Sequence, residues 1–275
     1  MTSPVPGNAW PYFPAATGQV ILTGAGPGDP ELLTVKALRS LQQADVVVYD
    51  LLVSDEILAL IPQNVKRIAA GKRCGQPGYT QEEINRILIR EAEAGQQVVR
   101  LKGGDPLIFG RGGEELEALQ AAGIPCSVVP GITAASGCAA SALIPLTHRA
   151  HASGVRFITG HRQPSAISVP LTTFSDDETL VIYMGVQRAA DICAQLQNAG
   201  AGKHTPVAVI ENGTRAQQRV RIGQLNELSA LCDGIRTPGL IIVGSVVHLY
   251  HKLHKKTDKY TDEIISSAKD PEFHL

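Results

Sequence analysis

The sequence predicts an α/β protein of two domains, the first built on a parallel five-stranded sheet and the second on a mixed sheet. Three observations carry that expectation. Five short apolar runs, at residues 20–23, 44–50, 65–69, 98–101 and 126–129, alternate with helical stretches through the first half of the 275 residues. Runs this apolar mark strands covered on both faces, and helices between them act as crossovers of a parallel sheet. In the second half, runs at 207–210 and 218–222 are joined by Glu211-Asn212-Gly213-Thr214, too short for a crossover helix, so they pair antiparallel and make that sheet mixed. Between the halves lies a stretch of small side chains, Pro130-Gly131-Ile132-Thr133-Ala134-Ala135-Ser136-Gly137-Cys138-Ala139-Ala140. The expected layout is an arm over 1–18, domains over 19–132 and 133–250, and a polar tail over 251–275.

The elements follow in order. Val20-Ile21-Leu22-Thr23 leads into Gly24-Ala25-Gly26-Pro27-Gly28-Asp29-Pro30, where Asp29 can cap a helix opened by Pro30 and faced by Leu32, Leu33, Leu38 and Leu41. The β-branched run 44–50 ends at Asp50, and the run 65–69 leads into Gly71-Lys72-Arg73. Thr80-Gln81-Glu82-Glu83 forms a capping box for a helix over 84–94 that Gly95 stops. The strand at 98–101 runs into the glycine-rich stretch 101–113, LKGGDPLIFGRGG; a helix over 114–122 follows, closed by Gly123, and then the strand at 126–129. In the second half, strands are expected at 155–159, 180–183 and 240–243, with a helix over 187–198 stopped by Gly200. His248, His251 and His254 recur at helical spacing without acid or cysteine partners, the pattern of a polar helix face rather than a metal site.

Composition excludes several classes. With 44% hydrophobic and 19% charged residues and a formal net charge of -1, the chain is neither disordered nor a general binder of polyanions such as nucleic acid. An anionic substrate would therefore need a local cationic rim. Cys74, Cys126, Cys138, Cys193 and Cys232 form no C-x-x-C pair and no zinc-ligand spacing, the pattern of reduced cytoplasmic thiols. The proline-containing arm lacks the order of a signal peptide, and no run approaches the roughly 18 apolar residues of a membrane span. A cytoplasmic protein without a membrane partner is expected.

Ligands of parallel sheets sit outside the carboxyl ends of the strands, and Gly26, Asp50, Lys72, Gly103, Gly104, Asp105 and Pro130 all fall there. Gly24-x-Gly26-x-Gly28 followed by Asp50 imitates a dinucleotide fingerprint. Pro27 and Pro30, however, remove backbone N–H groups that would cradle a pyrophosphate, and Asp29 would repel one. A ligand without phosphates fits better.

Taken together, Val20-Ile21-Leu22-Thr23-Gly24-Ala25-Gly26-Pro27-Gly28-Asp29, Val48-Tyr49-Asp50, Gly71-Lys72-Arg73, Arg100-Leu101-Lys102-Gly103-Gly104-Asp105-Pro106, Gly110-Arg111-Gly112-Gly113-Glu114-Glu115, Pro130-Gly131-Ile132-Thr133-Ala134-Ala135-Ser136, Pro145-Leu146-Thr147-His148-Arg149, Tyr183-Met184-Gly185 and Glu211-Asn212-Gly213-Thr214 resemble the tetrapyrrole methylases. The likeness runs collinearly over residues 19–249 and is nearest to members that C-methylate uroporphyrinogen III. It implies transfer of methyl groups from S-adenosylmethionine to two pyrrole ring carbons, giving precorrin-2 through precorrin-1 and leaving S-adenosylhomocysteine, without a metal. The alternatives are a related precorrin methyltransferase or a non-catalytic sensor of a tetrapyrrole or adenosyl ligand. A homodimer is implied, with the cofactor in the cleft between the domains. Because only an arm precedes Gln19, the later steps toward sirohaem are not expected.

Carried over by motif, the cofactor contacts are Pro27, Gly103, Gly104, Asp105, Ile108, Thr133, Ala134, Met184 and Gly213. The resemblance further implies Asp50 as proton acceptor and Lys72 as donor; the competing roles are orientation of substrate by Asp50 and pairing of a carboxylate by Lys72. Arg111 is a third catalytic candidate, placed to pair bidentately with a substrate acetate. Its competing role is a helix-start ion pair with Glu114 or Glu115. Arg111, Glu114, Arg149 and His161 are the expected substrate contacts, within a rim that can also include Arg73, His148 and Arg162.

Overall fold

The computed structural model describes residues 18–71, 78–160, 173–235 and 237–254. The arm up to residue 17, the tail beyond 254, and the candidates Lys72, Arg73, His161 and Arg162 lie outside the described residues. The chain divides into two compact units, Met1–Ile132 and Thr133–Leu275.

The first unit is the expected parallel sheet. Its strands β1 (Gln19–Gly24), β2 (Val46–Tyr49), β3 (Lys66–Ala69), β4 (Gln97–Lys102) and β5 (Cys126–Val129) lie in the order β3-β2-β4-β1-β5, every pair parallel. Side chains alternate across a strand, so each apolar run feeds two cores. Val46, Val48 and Val98 pack with Ile84, Leu88 and Leu119, under helices α3 (Gln81–Glu93) and α4 (Gly112–Ala121). Val47, Tyr49, Val99 and Leu101 pack on the other face with Leu41 and Ile57, from α1 (Val35–Gln42) and α2 (Asp55–Leu58). The connection leaving β2 runs to one edge of the sheet and the one leaving β4 to the other. Neighbouring strands whose connections diverge in this way open a crevice at their carboxyl ends, here above β2 and β4.

Local signals locate the helix ends. Thr80 and Glu83 form the full capping box, and Gly95 and Gly123 adopt left-handed φ of 82° and 69° just beyond their helices. One expectation is corrected. Pro30 opens only a single 3-10 turn, Pro30–Leu32, capped by Asp29; α1 begins anew behind Thr34, which accepts from the Ala37 N–H at 3.1 Å. Leu33 is extended and separates the two, so Leu32 and Leu33 are not on the helix face with Leu41.

The second unit opens with α5 (Ala134–Ser141). Its sheet comprises β6 (Gly154–Thr159), β7 (Glu178–Tyr183), β8 (Pro206–Glu211), β9 (Arg219–Gln224) and β10 (Gly239–Val243), in the order β6-β7-β10-β8-β9. Only β6 and β7 pair parallel; β8 and β9 form the expected antiparallel pair. Helices α6 (Ala189–Asn198) and α7 (Leu228–Cys232) cover one face through Ile192, Leu196 and Leu228. α5 and the 3-10 turn Ser245–His248 cover the other through Ala135, Cys138, Val246 and Val247. No helix among the described residues is long and apolar enough to cross a membrane.

Leu88 is fully buried at the centre of the first core, so Leu88→Ala is expected to lower unfolding stability in urea by about 2–5 kcal/mol. Thr80→Ala, which removes one cap, should cost about 1 kcal/mol in the same measurement.

Candidate active site

At the carboxyl edge of the first sheet, three loops meet through bare backbone. The loop after β1 and the loop after β4 exchange two hydrogen bonds, Gly26 N–H to Gly104 O at 3.1 Å and Gly104 N–H to Gly26 O at 2.7 Å. Both glycines take left-handed φ, 71° and 68°. Gly131, in the loop after β5, packs so closely that a Cβ there would run into the Gly104 carbonyl oxygen and the Gly24 backbone. Asp105 fastens the same junction. One of its carboxylate oxygens accepts from Leu107 N–H at 2.8 Å, the other from Gly131 N–H at 3.0 Å. The Asp105 side chain therefore already holds two backbone donors of its own chain, a structural duty that the sequence reading, which assigned it to ligand, did not include.

The β4 loop then curls around the Pro106 carbonyl, which accepts from Gly112 N–H at 3.0 Å. Within this curl Phe109 and Arg111 both occupy the left-handed region, at φ 52° and 58°. For residues with side chains that conformation costs on the order of 1–3 kcal/mol each and persists where surrounding structure imposes it. Leu107 and Phe109 are left exposed, as are Leu51 and Leu52 in the loop after β2, and Leu52 lies against Gly103. Ile108 and Pro27 are half-buried. The edge thus combines a backbone floor with an apolar rim, a surface suited to a flat, largely uncharged group.

Arg111 stands at the N-terminus of α4 and grips Glu114 with two hydrogen bonds, 2.9 and 2.6 Å. The helix-start pairing that competed with a substrate role is therefore formed. The hydrogen bond from Arg111 holds the Glu114 carboxyl below its usual value. Both side chains remain about half-exposed, and exposed pairs of this kind add little to stability.

Asp50 follows β2, with its side chain on the same sheet face as Val48. It is 30% exposed and paired with Arg100, which is 2% exposed. Lys102 Nζ lies 4.0 Å from its other oxygen. Arg100 and Lys102 are two apart in β4 and so share a face, where both bond Glu115 Oε1 of α4 at 3.0 Å. These three buried charges were missed by sequence reasoning, which took Arg100 as part of an apolar run. The available signal was a pair of cations at strand spacing, followed by an acid in the first turn of the next helix.

In the second unit, β7 and β8 point the same way and end beside the N-terminus of α5. Tyr183, at the end of β7, receives the Ala135 N–H at 3.0 Å and bonds Thr133 Oγ1 at 2.6 Å, doing the work of a helix cap. Ala134 is half-buried in that first turn. Met184 follows β7 in the left-handed region at φ 53° with its side chain exposed. Gly213 follows β8 and packs on Cys138, whose thiol burial pushes up to about 11. Thr133, Ala134, Met184 and Gly213 are thereby gathered at one end of this unit. Arg149 is not: its exposed loop leads into the amino end of β6, at the other end of the sheet from Met184 and Gly213. Among the described residues no group of three or more His, Cys, Asp or Glu could hold a metal ion.

Gly131→Ala must push backbone against backbone and is expected to lower stability by about 1–3 kcal/mol in chemical unfolding. Gly113→Ala, with nothing near its Cβ position in α4, should be neutral or stabilising by about 0.4–1 kcal/mol.

Comparison with known proteins places the chain in a family. The family model of Tetrapyrrole (Corrin/Porphyrin) Methylases fits residues 19–229. A Siroheme synthase 2 of Serratia proteamaculans is 56% identical over 243 residues, 88% of this chain and 52% of that protein. A Siroheme synthase 2 of Cronobacter sakazakii is 56% identical over 237 residues, again 52% of its length. The chain thus spans about half the length of these curated relatives. Among solved structures, the uroporphyrin-III C-methyl transferase of Thermus thermophilus complexed with S-adenyl homocysteine is 42% identical with a TM-score of 0.74, covering 84% of this chain and 99% of that one. A cobalt precorrin-4 methyltransferase is 28% identical with a TM-score of 0.73. With residues 19–229 fitted by the family model and 84% of its length matched in fold, the chain belongs to the tetrapyrrole methylase family.

Proposed function

We propose that this chain is an S-adenosylmethionine-dependent C-methyltransferase that methylates two pyrrole ring carbons of uroporphyrinogen III, yielding precorrin-2 by way of precorrin-1. The observation that carries this reading is the carboxyl-edge junction of the first unit, where a glycine floor lies beside a half-exposed carboxylate. A uroporphyrin methyltransferase that binds S-adenyl homocysteine shares this chain's fold over nearly its whole length, which supports the same reading.

The donor set fits an adenosyl ligand. Gly103 offers backbone groups, Gly104 close approach without a side chain, Ile108 and Pro27 an apolar wall, and two prolines in the β1 loop withhold the N–H groups a pyrophosphate would need. Thr133, Ala134, Met184 and Gly213 of the second unit are assigned to the same ligand. When bound, S-adenosylmethionine supplies an electrophilic methyl group and leaves as the homocysteine. The chain must then orient the attacking pyrrole carbon and remove a proton, since each new carbon–carbon bond leaves the pyrrole cationic until one is lost. Asp50 is assigned as acceptor, because it ends β2 at the crevice with its side chain 30% exposed. Lys72 is assigned as donor. Arg111, steadied by Glu114, is assigned to a substrate acetate, with His161 and Arg149 as further substrate contacts. A cytoplasmic homodimer completes the proposal, and light scattering would check the oligomer.

Anaerobic incubation with uroporphyrinogen III and methyl-labelled S-adenosylmethionine should give a doubly labelled tetrapyrrole by mass analysis; an unlabelled substrate would end the assignment. Arg111→Ala is expected to bind S-adenosylhomocysteine normally in calorimetry while losing about a hundredfold in turnover. Unchanged turnover would leave Arg111 only its structural bond to Glu114.

A further inference from the structure

Beneath the crevice lies a cluster of charge that the proposed chemistry does not itself use. Glu115, fully buried in α4, receives three donors on its single oxygen Oε1: Arg100 Nε at 3.0 Å, Lys102 Nζ at 3.0 Å and Gln81 Nε2 from α3 at 3.1 Å. Its Oε2 is buried and has no hydrogen-bond partner among the described residues. Arg100 also donates to the carbonyls of Val48 and Leu101, at 3.4 and 3.5 Å. Side-chain exposures are 2% for Arg100, 3% for Lys102 and 0% for Glu115. Burial first, and then the neighbouring Arg100 charge, push the Lys102 ammonium below its usual value, against the attraction of Asp50 and Glu115.

Such a cluster is a poor way to stabilise a core, since apolar residues of similar volume do as well or better. Its geometry indicates a different use. Both cations point along one face of β4 toward the carboxylate that ends β2, and Asp50 is the member of the cluster that reaches solvent.

We propose that Arg100 and Lys102, anchored from below by Glu115, are positioning residues that hold the Asp50 carboxylate in place and set its charge for proton transfer. The inference rests on the reading of Asp50 as proton acceptor. Arg100 fixes the direction of the carboxylate through a direct bond. Lys102 contributes positive charge at 4.0 Å, and Glu115 offsets part of that charge while orienting both cations. Among the described residues Asp50 is paired by Arg100 and Lys102 of β4, Glu115 of α4 bonds both cations, and α3 brings the neutral Gln81 to Glu115. The net charge of the four is zero, so removing one member changes the field at Asp50 with a sign fixed by the member removed.

The test is the pH profile of turnover with uroporphyrinogen III in Lys102→Met, Glu115→Gln and the double variant, with S-adenosylhomocysteine calorimetry as the check on folding. Losing a cation makes ionisation of a neighbouring carboxylate harder, so Lys102→Met should move the acidic limb to higher pH by roughly one unit. Glu115→Gln should move it to lower pH, and the double variant, which loses one charge of each sign, should return it to the wild-type position. The double variant keeps the cluster neutral and carries the test should Lys102→Met not fold. Limbs that stay put, or move the same way in both single variants, would overturn the inference and leave the cluster structural. Asp50→Asn separates the two claims: retained turnover there removes Asp50 as acceptor, whatever the cluster does.

Discussion

Burying the Glu115 carboxylate under β4 obliges the first unit to bury cations with it, and much of the crevice follows from that constraint. An unpaired carboxylate in such a place would be strongly destabilising, so Arg100 and Lys102 occupy strand positions where the surrounding pattern has valine and leucine. Because they share a face of β4, and because β2 lies alongside in parallel register with Val48 opposite Arg100, both cations arrive beneath Asp50. The direction of the carboxylate at the crevice is thus decided by a helix residue 15 positions further along the chain than Arg100.

The second constraint is close approach of backbone. Loops after β1, β4 and β5 are tied by the paired hydrogen bonds of Gly26 and Gly104 and by the two bonds of Asp105. Side chains are excluded from the junction because no Cβ fits at Gly24 or Gly131. A floor of peptide groups results, flanked by exposed leucines and by the left-handed Phe109 and Arg111. In the proposed reaction the floor presents the methyl donor and Asp50 in the charged wall beside it receives a proton.

Much of this was legible before any coordinates. Apolar runs alternating with helices placed all five strands of the first sheet, and a link too short for a crossover helix identified the antiparallel pair of β8 and β9. The capping box at Thr80 and the glycines at 95, 123 and 200 marked helix ends, because those signals are local: a cap or a left-handed residue acts within one turn. The break between Pro30 and Thr34 was missed, since Asp29-Pro30 is a good helix start that happens to yield a single 3-10 turn. That the loop of Arg149 enters β6 at the end of the sheet away from Met184 and Gly213 follows from strand direction, which the residues around Arg149 do not encode.

By itself, the sequence determined the fold class, the order of the strands and the motifs that place this chain among the tetrapyrrole methylases, because hydrophobic period and turn chemistry are properties of neighbouring residues. Only the tertiary structure decided which charges face one another. Arg100, Lys102, Glu115 and Asp50 come from three elements, and their meeting depends on strand register and on which face of the sheet α4 covers. The same holds for the Asp105 carboxylate, whose two donors come from its own loop and from the loop after β5. Electrostatic neighbours act through space at about 3–4 Å, and spacing along the chain carries no record of that distance until the sheet has formed.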